Sequence, residues 1–574
     1  MNETGPAFDR RFFREAWALA TPYWRSEERR MAWILLAVVV SLNIGLVYVN
    51  VLINQWSNDF YNTLQNFDAD GFFEQLARFG VLAAIYIVIA VYQLYLNQML
   101  QIRWRRWLTE RYLESWLADR GYYRMGLLAA TTDNPDQRIA EDLELFVAKT
   151  LTLGLGLMNA VVTLLSFVVI LWGLSGSIEV LGVSVPGYMV WAALAYAVAG
   201  TWIANRVGRP LIGLNFLQQR YEADFRFSLV RLRENTEQVA LYGGEAAEAR
   251  GFARRFHQVV TNFRAIMERQ KRLTFFTAGY GQLAVIFPVL VAAPRYFAKE
   301  IQLGGLIQTA SAFNQVQSAL SFLISAYPEI ALWRSVVERL IGFSAKLAEL
   351  RRQHQERRVV HADSADGHLR LDDVSIVLPD GKTLVGDIDL DLAPGTRTLV
   401  NGPSGCGKSA LFRTIAGLWP FGQGRVARPR GRIMFVPQRP YLPLGTLRQA
   451  MLYPGGTEDG SPGDAELRRL LADVGLEHLA EKLDEGENWQ QVLSTGEQQR
   501  LALIRALIRK PDWLFLDEAT SALDPANEEK LFAMLRRRLP GTTLVSIGHR
   551  ASLRAFHDKR LEFDGRGGVG FAAA

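Results

Sequence analysis

The chain has 574 residues, of which 49% are hydrophobic and 21% are charged, and its formal net charge is +6. The high apolar content excludes a disordered or charge-solvated protein, and the single cysteine, Cys406, excludes an intrachain disulfide framework. Because the positive residues lie mainly beside apolar segments, we interpret the net charge as a signal of membrane topology and expect no nucleic-acid partner.

Six long windows without charged residues precede Arg334, whereas charges recur every few residues after it. About 20 apolar residues cross the roughly 30 Å of a bilayer core, so each window predicts a transmembrane helix. The last two windows carry Pro288, Pro294 and several Gln and Asn. This composition favours helices that line a polar path, with buried soluble helices as the alternative. The predicted spans are about residues 31–53, 80–100, 150–174, 183–204, 273–294 and 303–328.

Lys and Arg are concentrated before the first span and in the connections after the second and fourth spans. By the positive-inside rule, the N-terminus, these two connections and the C-terminal half share the cytoplasmic side. We therefore expect a multi-pass protein of the inner (cytoplasmic) membrane, in contact with membrane lipid. The first apolar run is too long for a signal peptide, so no cleavable signal is expected.

Residues 8–24 mix basic and aromatic side chains at helical spacing. This pattern predicts an amphipathic helix at the membrane interface, or a soluble helix packed on the bundle. The two basic connections are long and helical in pattern, so the spans should continue beyond the bilayer and end in short turns. The Asn-Pro break in residues 131–138 and the Gly-Gly break in residues 241–245 are the turn candidates.

The C-terminal half begins after a charged linker. We predict a transmembrane domain over residues 1–343, a linker over 344–367 and a soluble domain over 368–574. In the soluble domain a short β-like run precedes NGPSGCGKS, and an apolar-periodic helix follows it. That context and the spacing G-x-x-x-x-G-K-S predict a phosphate-binding loop. The loop residues predicted to bind the nucleotide are Gly402, Pro403, Ser404, Gly405, Cys406, Gly407, Lys408 and Ser409.

Each part of this loop has a physical role. Glycines allow successive backbone N–H groups to turn toward phosphate oxygens, and the helix N-terminus adds positive potential. Lys408 supplies a point charge to the phosphates, and the Ser409 hydroxyl is offered to Mg²⁺. We interpret Cys406 as a small tolerated side chain and not as a nucleophile.

A second segment, WLFLDE, is an apolar strand that ends in Asp517 and Glu518 about 110 residues after the loop. Asp517 is expected to hold Mg²⁺ through water, and Glu518 to act as the general base on an attacking water. Gln438 is placed to bridge that water and Mg²⁺, and His549, after the strand TTLVSIG, to contact the γ-phosphate. The predicted catalytic residues are Glu518, His549 and Gln438, and the predicted metal ligands are Ser409, Gln438 and Asp517.

A third segment, LSTGEQQR, opens another apolar-periodic helix. Its N-terminus offers a second anion site at Ser494, Thr495, Gly496 and Glu497. Because the loop after Gly402 already holds one nucleotide, this site is expected to serve a nucleotide bound to a second copy of the domain. The alternative is an ordinary Ser N-cap with Glu at the third position, as in a capping box, and the two interpretations are compatible.

Together, GPSGCGKS, the Gln438 loop, LSTGEQQR, WLFLDE, SALD and His549 resemble the six motifs of ATP-binding cassette (ABC) transporters, in their order and at their usual spacing. The signature differs from the common LSGGQ at Thr495 and Glu497. In addition, GRPLIGLNF, DNPDQRIAEDLE and PQRPYLPLGTLR are similar to segments of the peroxisomal-type transporters (subfamily D) and their bacterial relatives. Those bacterial relatives are similar to the SbmA/BacA peptide permeases with a cassette fused on.

The resemblance implies an all-α membrane domain of six helices with an exporter-like, domain-swapped dimeric fold, followed by an α/β P-loop cassette. It also implies ATP hydrolysis with Mg²⁺ coupled to transport, in a homodimer with composite ATP sites. Coupling elements are expected near Asn134–Arg138 and Glu234–Glu245. The implied transport is uptake of peptides or bulky hydrophilic solutes such as cobalamin.

Three alternatives stay open. One is a fatty acid or acyl-CoA transporter, as in the peroxisomal branch. Another is a proton-driven permease with a regulatory cassette, and the third is a membrane-anchored ATPase that does not transport.

One departure concerns the base of the nucleotide. Cassettes usually stack adenine on an aromatic side chain some twenty residues before the loop, but residues 369–401 contain no Phe, Tyr or Trp. Val377 and Leu378 occupy the nearest positions. We therefore expect loose nucleotide selectivity.

Overall fold

The computed structural model describes residues 10–128, 134–180, 183–355, 359–455, 462–565 and 567–572, which form two compact units. The first unit comprises the described residues up to Ala118 and from Asn134 to Ala345. The second comprises those from Asp119 to Leu128 and from Lys346 onward. The division after Ala345 lies close to the predicted boundary, but the joining of residues 119–128 to the second unit was not predicted.

The first unit is helical apart from an antiparallel hairpin, β1 (Ser177–Val180) with β2 (Val183–Pro186). Its α-helices are α1 (Arg10–Trp24), α2 (Arg29–Gln65), α3 (Ala69–Leu117), α5 (Pro135–Gln137), α6 (Leu143–Ser175), α7 (Tyr188–Glu234), α8 (Thr236–Leu241), α9 (Glu245–Phe297), α10 (Leu303–Leu320), α11 (Phe322–Ser325) and α12 (Tyr327–Gln355). The end of α12 lies beyond Ala345 and belongs to the second unit. Helix α4 (Gly121–Leu128) belongs wholly to the second unit. A π-helical turn, Arg138–Asp142, joins α5 to α6.

Four helical stretches among the described residues are long and apolar enough to cross a membrane: Arg29–Gln65, Ala69–Leu127, Pro135–Ser175 and Glu245–Phe297. They contain four of the six predicted spans. The predicted span 183–204 begins in β2 and continues into α7, so its first residues are not helical. The predicted span 303–328 is interrupted at Ser321 and Ala326. Neither of these two belongs to the four.

The long helices carry apolar side chains on their outer faces. On α3, Val81, Ile87, Val88 and Val91 are all exposed. A large exposed apolar surface is unusual for a protein in water and is typical of a surface that contacts lipid. This pattern agrees with the sequence-based expectation of membrane helices.

The amino-terminal helix α1 is two-faced. Phe12 and Tyr23 are buried, and their rings lie 5.6 Å from that of Trp333 and 5.7 Å from that of Trp104. Trp17 on the opposite side is 73% exposed. One face of α1 therefore packs on the helical unit, as the alternative interpretation supposed, while the other keeps the exposed aromatic surface expected of an interfacial helix.

The turn predicted at residues 241–245 is confirmed: α8 ends at Leu241 and α9 begins at Glu245. Gly243 has φ of +61°, a left-handed conformation that glycine adopts without steric cost. Of the other predicted turn, residues 131–133 lie outside the described residues, and α5 begins directly after Asn134 with Pro135 at its first position.

The predicted linker 344–367 is largely regular in the structure. Helix α12 continues to Gln355, and strand β3 begins at Val359. The physical reason is composition, because the run ELRRQHQ consists mostly of good helix formers and extends the helix.

The second unit contains a six-stranded sheet in the order β14-β13-β6-β12-β11-β8 and a four-stranded sheet in the order β3-β7-β4-β5. In the larger sheet all neighbours are parallel except β13 and β14. The strands are β3 (Val359–Ser364), β4 (Leu369–Val377), β5 (Thr383–Leu392), β6 (Arg397–Asn401), β7 (Gly422–Pro429), β8 (Ile433–Val436), β9 (Gly445–Thr446), β10 (Gly486–Glu487), β11 (Trp513–Asp517), β12 (Thr543–Ile547), β13 (Lys559–Phe563) and β14 (Val569–Ala572). The helices are α13 (Lys408–Ile415), α14 (Leu447–Leu452), α15 (Asp464–Asp473), α16 (Trp489–Val492), α17 (Thr495–Arg509) and α18 (Pro525–Arg538).

The central strands of the larger sheet are buried on both faces. All five residues of β12 and the first four of β11 are buried. Such continuous apolar runs are typical of parallel strands covered by helices on both sides. Parallel strands also end at one edge of the sheet, so the segments that follow β6, β8, β11 and β12 meet there.

Residues 119–128 pack on the rest of the second unit. Arg120 donates a hydrogen bond of 2.9 Å to the backbone oxygen of Ala416, and Leu127 packs against the core of this unit. Arg124 and Met125 of α4 are buried. This short segment is therefore part of the α/β unit although it lies far from it in sequence.

Candidate nucleotide site

The loop between β6 and α13 is shaped by its glycines. Gly402, Gly405 and Gly407 have φ of +151°, +79° and +106°, in the region where side-chain-bearing residues are strained. A Cβ on Gly402 would lie 2.7 Å from Cβ of Phe563, and one on Gly407 would lie 2.6 Å from Cγ2 of Val385. Only glycine fits these two positions.

The loop residues form an exposed rim around a buried lysine. Pro403, Ser404 and Gly405 are exposed, whereas Lys408 is buried. The Lys408 ammonium donates to the backbone oxygens of Gly402 at 2.8 Å and of Pro403 at 2.7 Å. It is thus held inside the loop, where a phosphate bound by the loop amides would meet it.

Cys406 lies inside the same loop and is partly buried. Its Sγ lies 4.0 Å from the Lys408 ammonium and is unpaired with any other cysteine. The thiol fills space beside Gly402, since a Cβ added there would lie 3.2 Å from Sγ. This position agrees with the prediction of a small, tolerated side chain.

Ser409 and Asp517 meet at the carboxyl end of β11. The Ser409 hydroxyl donates to Oδ1 of Asp517 at 2.9 Å. Burial raises the pKa of Asp517, and the neighbouring Glu518 carboxylate raises it further, while Ser409 opposes the shift. A hydroxyl beside a carboxylate is a set of oxygen donors suited to Mg²⁺, so these two residues fit the predicted metal.

Glu518 gathers the other predicted catalytic residues. Its Oε2 accepts a hydrogen bond of 2.9 Å from the Gln438 amide, and its Oε1 lies 3.4 Å from Nε2 of His549. Gln438 follows β8 and His549 follows β12, so the two flanking strands of β11 deliver the partners. Gln438, predicted also as a metal ligand, thus contacts Glu518 and not the Ser409–Asp517 pair.

The backbone of Glu518 is unusual. Its φ of +48° is left-handed, which costs a non-glycine residue about 1–3 kcal/mol and is found mostly at functional sites. Its N–H donates to the backbone oxygen of Ile547 at 3.2 Å. The conformation turns the side chain toward Gln438 and His549.

Sequence reasoning missed Gln499, which connects these segments. Its Nε2 lies 3.0 Å from the backbone oxygen of Gln438 and 3.4 Å from that of Glu518, and its Oε1 accepts from the Ala522 N–H at 3.0 Å. The side chain is buried on α17. A polar residue on the apolar stripe of that helix was the available signal.

Ser494 and Glu497 form a capping box at the start of α17. The Ser494 hydroxyl accepts from the Glu497 N–H at 3.4 Å, and the Ser494 N–H donates to Glu497 Oε2 at 2.9 Å. Thr495 and Gly496 are the first two residues of the helix. The N-cap interpretation is confirmed, and the second phosphate site remains a prediction. Among the described residues, no hydrogen bond of Ser494 or Glu497 reaches the loop after Gly402.

Val377 and Leu378, the positions expected to lie nearest the base, remain a prediction. Val377 and Leu378 are partly buried at the end of β4. The Trp419 indole donates to the backbone oxygen of Val377 at 2.9 Å and is itself buried. The Trp419 indole is therefore held in the core by this hydrogen bond.

Two family models match the chain. "ABC transporter transmembrane region 2" covers residues 19–297, and "ABC transporter" covers residues 385–521. The second match includes the glycine loop, Gln438, the α17 N-terminus and Glu518, all of which belong to the site described above.

Similar proteins extend over nearly the whole chain. An "Uncharacterized ABC transporter ATP-binding protein" of Haemophilus influenzae is 36% identical over 96% of this chain and 93% of its own. "ABC transporter D family member 2, chloroplastic" of Arabidopsis thaliana is 35% identical over 96% of this chain and 86% of its own. A solved structure, of a bacterial Atm1-family ABC exporter with ATP bound, shares 19% identity with a TM-score of 0.71 and covers 95% of both chains. At that identity the likeness concerns the fold, and it confirms the predicted succession of an exporter-like helical domain and a cassette.

Proposed function

The chain belongs to the ABC transporter family, and from this premise we propose that two copies form a homodimer that takes up bulky hydrophilic solutes, such as peptides or cobalamin, across a bacterial cytoplasmic membrane. ATP hydrolysis with Mg²⁺, coupled to transport, follows from the family. The homodimer, the solute, the direction and the location are what we propose beyond the family. The observation that carries it is that one chain holds both membrane-length helices and the residues gathered around Glu518.

In this proposal the glycine loop and Lys408 bind the triphosphate, and Ser409 and Asp517 hold Mg²⁺. Bound there, Mg²⁺ would neutralise charge on the phosphate oxygens. Glu518 accepts the proton of the attacking water, and its two carboxylate oxygens are oriented by Gln438 and His549. A base held from both sides loses little freedom when it acts, which favours proton transfer.

The homodimer is supported by the division of the site. Each chain carries one glycine loop and one α17 N-terminus. The first N–H groups of a helix have no partner inside the helix and attract anions. The polar groups at the start of α17 bond to one another and not to the loop of their own chain. We therefore assign this helix end to the nucleotide held by the second copy.

The preference for hydrophilic solutes is supported by α10. Gln308 and Thr309 are buried in it, and Asn314, Gln315 and Gln317 are partly exposed. A helix of this composition suits a polar path better than a path for an acyl chain. The likeness to a subfamily D member favours the second candidate, a fatty acid or acyl-CoA, because the peroxisomal branch has that substrate class.

The test is transport by the purified protein in sealed liposomes with the cassettes facing outward. MgATP is added outside, a protonophore collapses any proton gradient, and movement of a labelled peptide, cobalamin and an acyl-CoA is compared. We expect ATP-dependent movement of a hydrophilic solute that Glu518→Gln abolishes. Movement of acyl-CoA alone would support the second candidate, and movement that occurs only when the protonophore is left out would support the permease.

Composite sites are tested separately with linked dimers that carry Lys408→Ala and Ser494→Arg. If each site combines the loop of one chain with the α17 end of the other, both changes in one chain damage both sites. The same changes split between the chains leave one site intact. We expect the split arrangement to retain hydrolysis and the single-chain arrangement to lose it; the reverse result would place both motifs of a site in one chain.

A further inference from the structure

The start of α17 carries an unexpected negative charge. Glu497 lies at the third position of this helix, in the turn to which the proposed function assigns the phosphates of a second copy's nucleotide. A carboxylate there stabilises the helix itself. It also repels a polyphosphate that approaches the same N–H groups. Phosphate binding at this helix end therefore requires that the Glu497 carboxylate be held where it repels the phosphates least.

Both carboxylate oxygens of Glu497 are held by neighbours. Oε2 accepts from the Ser494 N–H at 2.9 Å and from the Ser494 hydroxyl at 2.7 Å. Oε1 lies 3.1 Å from Nε2 of His478. Partial burial opposes ionisation of Glu497, but the Ser494 hydrogen bonds and the His478 and Arg500 charges outweigh it, so the pKa of Glu497 is lowered. The carboxylate is thus ionised and needs a partner.

His478 comes from a different element with a fixed backbone. It lies in the 3-10 segment Glu477–Lys482, whose Leu479 is buried in the core together with the preceding Leu476. The imidazole itself is 58% exposed. The buried leucines therefore fix the backbone position of His478, and its imidazole contacts Glu497 from the solvent side.

We infer that His478 is a positioning residue for ATP hydrolysis: it contacts the Glu497 carboxylate as a hydrogen-bond partner and holds it in the capping box, so that the first turn of α17 can receive the phosphates of the partner's nucleotide. The inference rests on the proposed composite site. His478 acts through Glu497 and does not touch the nucleotide.

The test compares KM for MgATP and kcat in purified wild-type dimers and three variants, His478→Ala, Glu497→Gln and the double variant. An exposed ion pair contributes up to about 1 kcal/mol, which corresponds to roughly a fivefold effect. We expect His478→Ala to raise KM about three- to fivefold and to change kcat less than twofold. With Gln at position 497 no charge needs a partner, so the double variant should match Glu497→Gln alone.

Two controls separate this role from a general effect on the fold. Arg468→Ala breaks an exposed pair with Glu481 in the same region and should leave KM unchanged. His478→Gln keeps an N–H donor and should retain most of the wild-type affinity. An unchanged KM in His478→Ala, or a KM increase that persists in the Glu497→Gln background, overturns the inference. Hydrolysis by the wild type and its loss in Glu518→Gln test the proposed function independently of either result.

Discussion

The helical unit and the cassette unit bury polar groups for different purposes. In the helical unit, the buried carboxylate of Asp142 is paired on both of its oxygens, with the guanidinium groups of Arg138 and Arg339. At the edge of the cassette sheet, Ser409, Asp517 and Glu518 are held by neighbours but keep oxygen atoms available for a ligand. Changes in the first group should therefore alter stability, and changes in the second should alter chemistry.

The largest effect is expected at the sheet edge. Glu518→Gln keeps the shape and the hydrogen bond to Gln438 but removes the base, which usually costs about 10²–10⁴-fold in rate. ATP binding should persist, and a closed, ATP-bound dimer should accumulate because repulsion of the γ-phosphate is lower. Turnover and nucleotide binding of the purified variant check this. Turnover close to that of the wild type would remove Glu518 from the role of base.

The matching change in the helical unit is Arg339→Met. Asp142 is 1% exposed, and Arg339 donates to both of its oxygens, at 2.6 and 2.9 Å. Loss of these two hydrogen bonds to a buried carboxylate, which keeps its contact with Arg138, costs about 1–3 kcal/mol. We expect a lower free energy of unfolding and unchanged ATP affinity of the molecules that remain folded. Arg352→Met on the same helix breaks an exposed pair with Glu349 and is the control; an equal loss there would contradict the comparison.

A smaller effect is expected where α2 caps α10. The N-cap residue of α10, Gln302, makes no capping bond with its own side chain. Instead, Oδ1 of Asn62 on α2 accepts from the Gly304 N–H at 2.9 Å. Asn62→Ala should lower the free energy of unfolding by about 1 kcal/mol, as for other lost caps. Hydrogen exchange of the backbone amides in the first turn of α10 measures this loss of stability. Asn66→Ala, at an exposed position, is the control and should leave that exchange unchanged.

The smallest effect concerns the base of the nucleotide. Aromatic stacking is worth about 0.5–1.5 kcal/mol, or roughly a three- to twelvefold preference. With Val377 and Leu378 in place of an aromatic, GTP should support hydrolysis within about tenfold of ATP, and Leu378→Tyr should sharpen the preference for ATP. The preference is measured as the ratio of kcat/KM for ATP to kcat/KM for GTP, in the wild type and in Leu378→Tyr. A wild-type preference above about a hundredfold would show that another residue reads the base.

The candidate residues of the cassette could be identified from sequence because parallel strands bring their carboxyl ends together. Ser409, Gln438, Asp517, Glu518 and His549 each follow a strand or begin the helix after one, so a short local pattern identifies each of them. The structure then brings them into the pairs described above. Their roles in catalysis stay predictions until the rates of the variants are measured.

The contacts that sequence reasoning missed join residues without a shared local pattern. His478 meets Glu497 across two elements of the cassette, and Arg339 meets Asp142 across 197 positions of the chain. Gln499 has an ordinary helical neighbourhood in sequence, and only the fold shows that it bonds to two catalytic segments. Such pairings depend on packing, which no single stretch of sequence encodes.

Helix α9 also has a mechanical consequence. It runs without a break for 53 residues, or about 80 Å at 1.5 Å per residue. A bilayer core is only about 30 Å thick, so about 50 Å of this helix extends beyond it as a stiff rod. A tilt of about 5° about the membrane boundary displaces the far end of such a rod by roughly 4 Å. The same lever acts in the other direction, because a push of a few ångströms at the Gly243 turn tilts the long part of the helix that precedes Pro288 and Pro294.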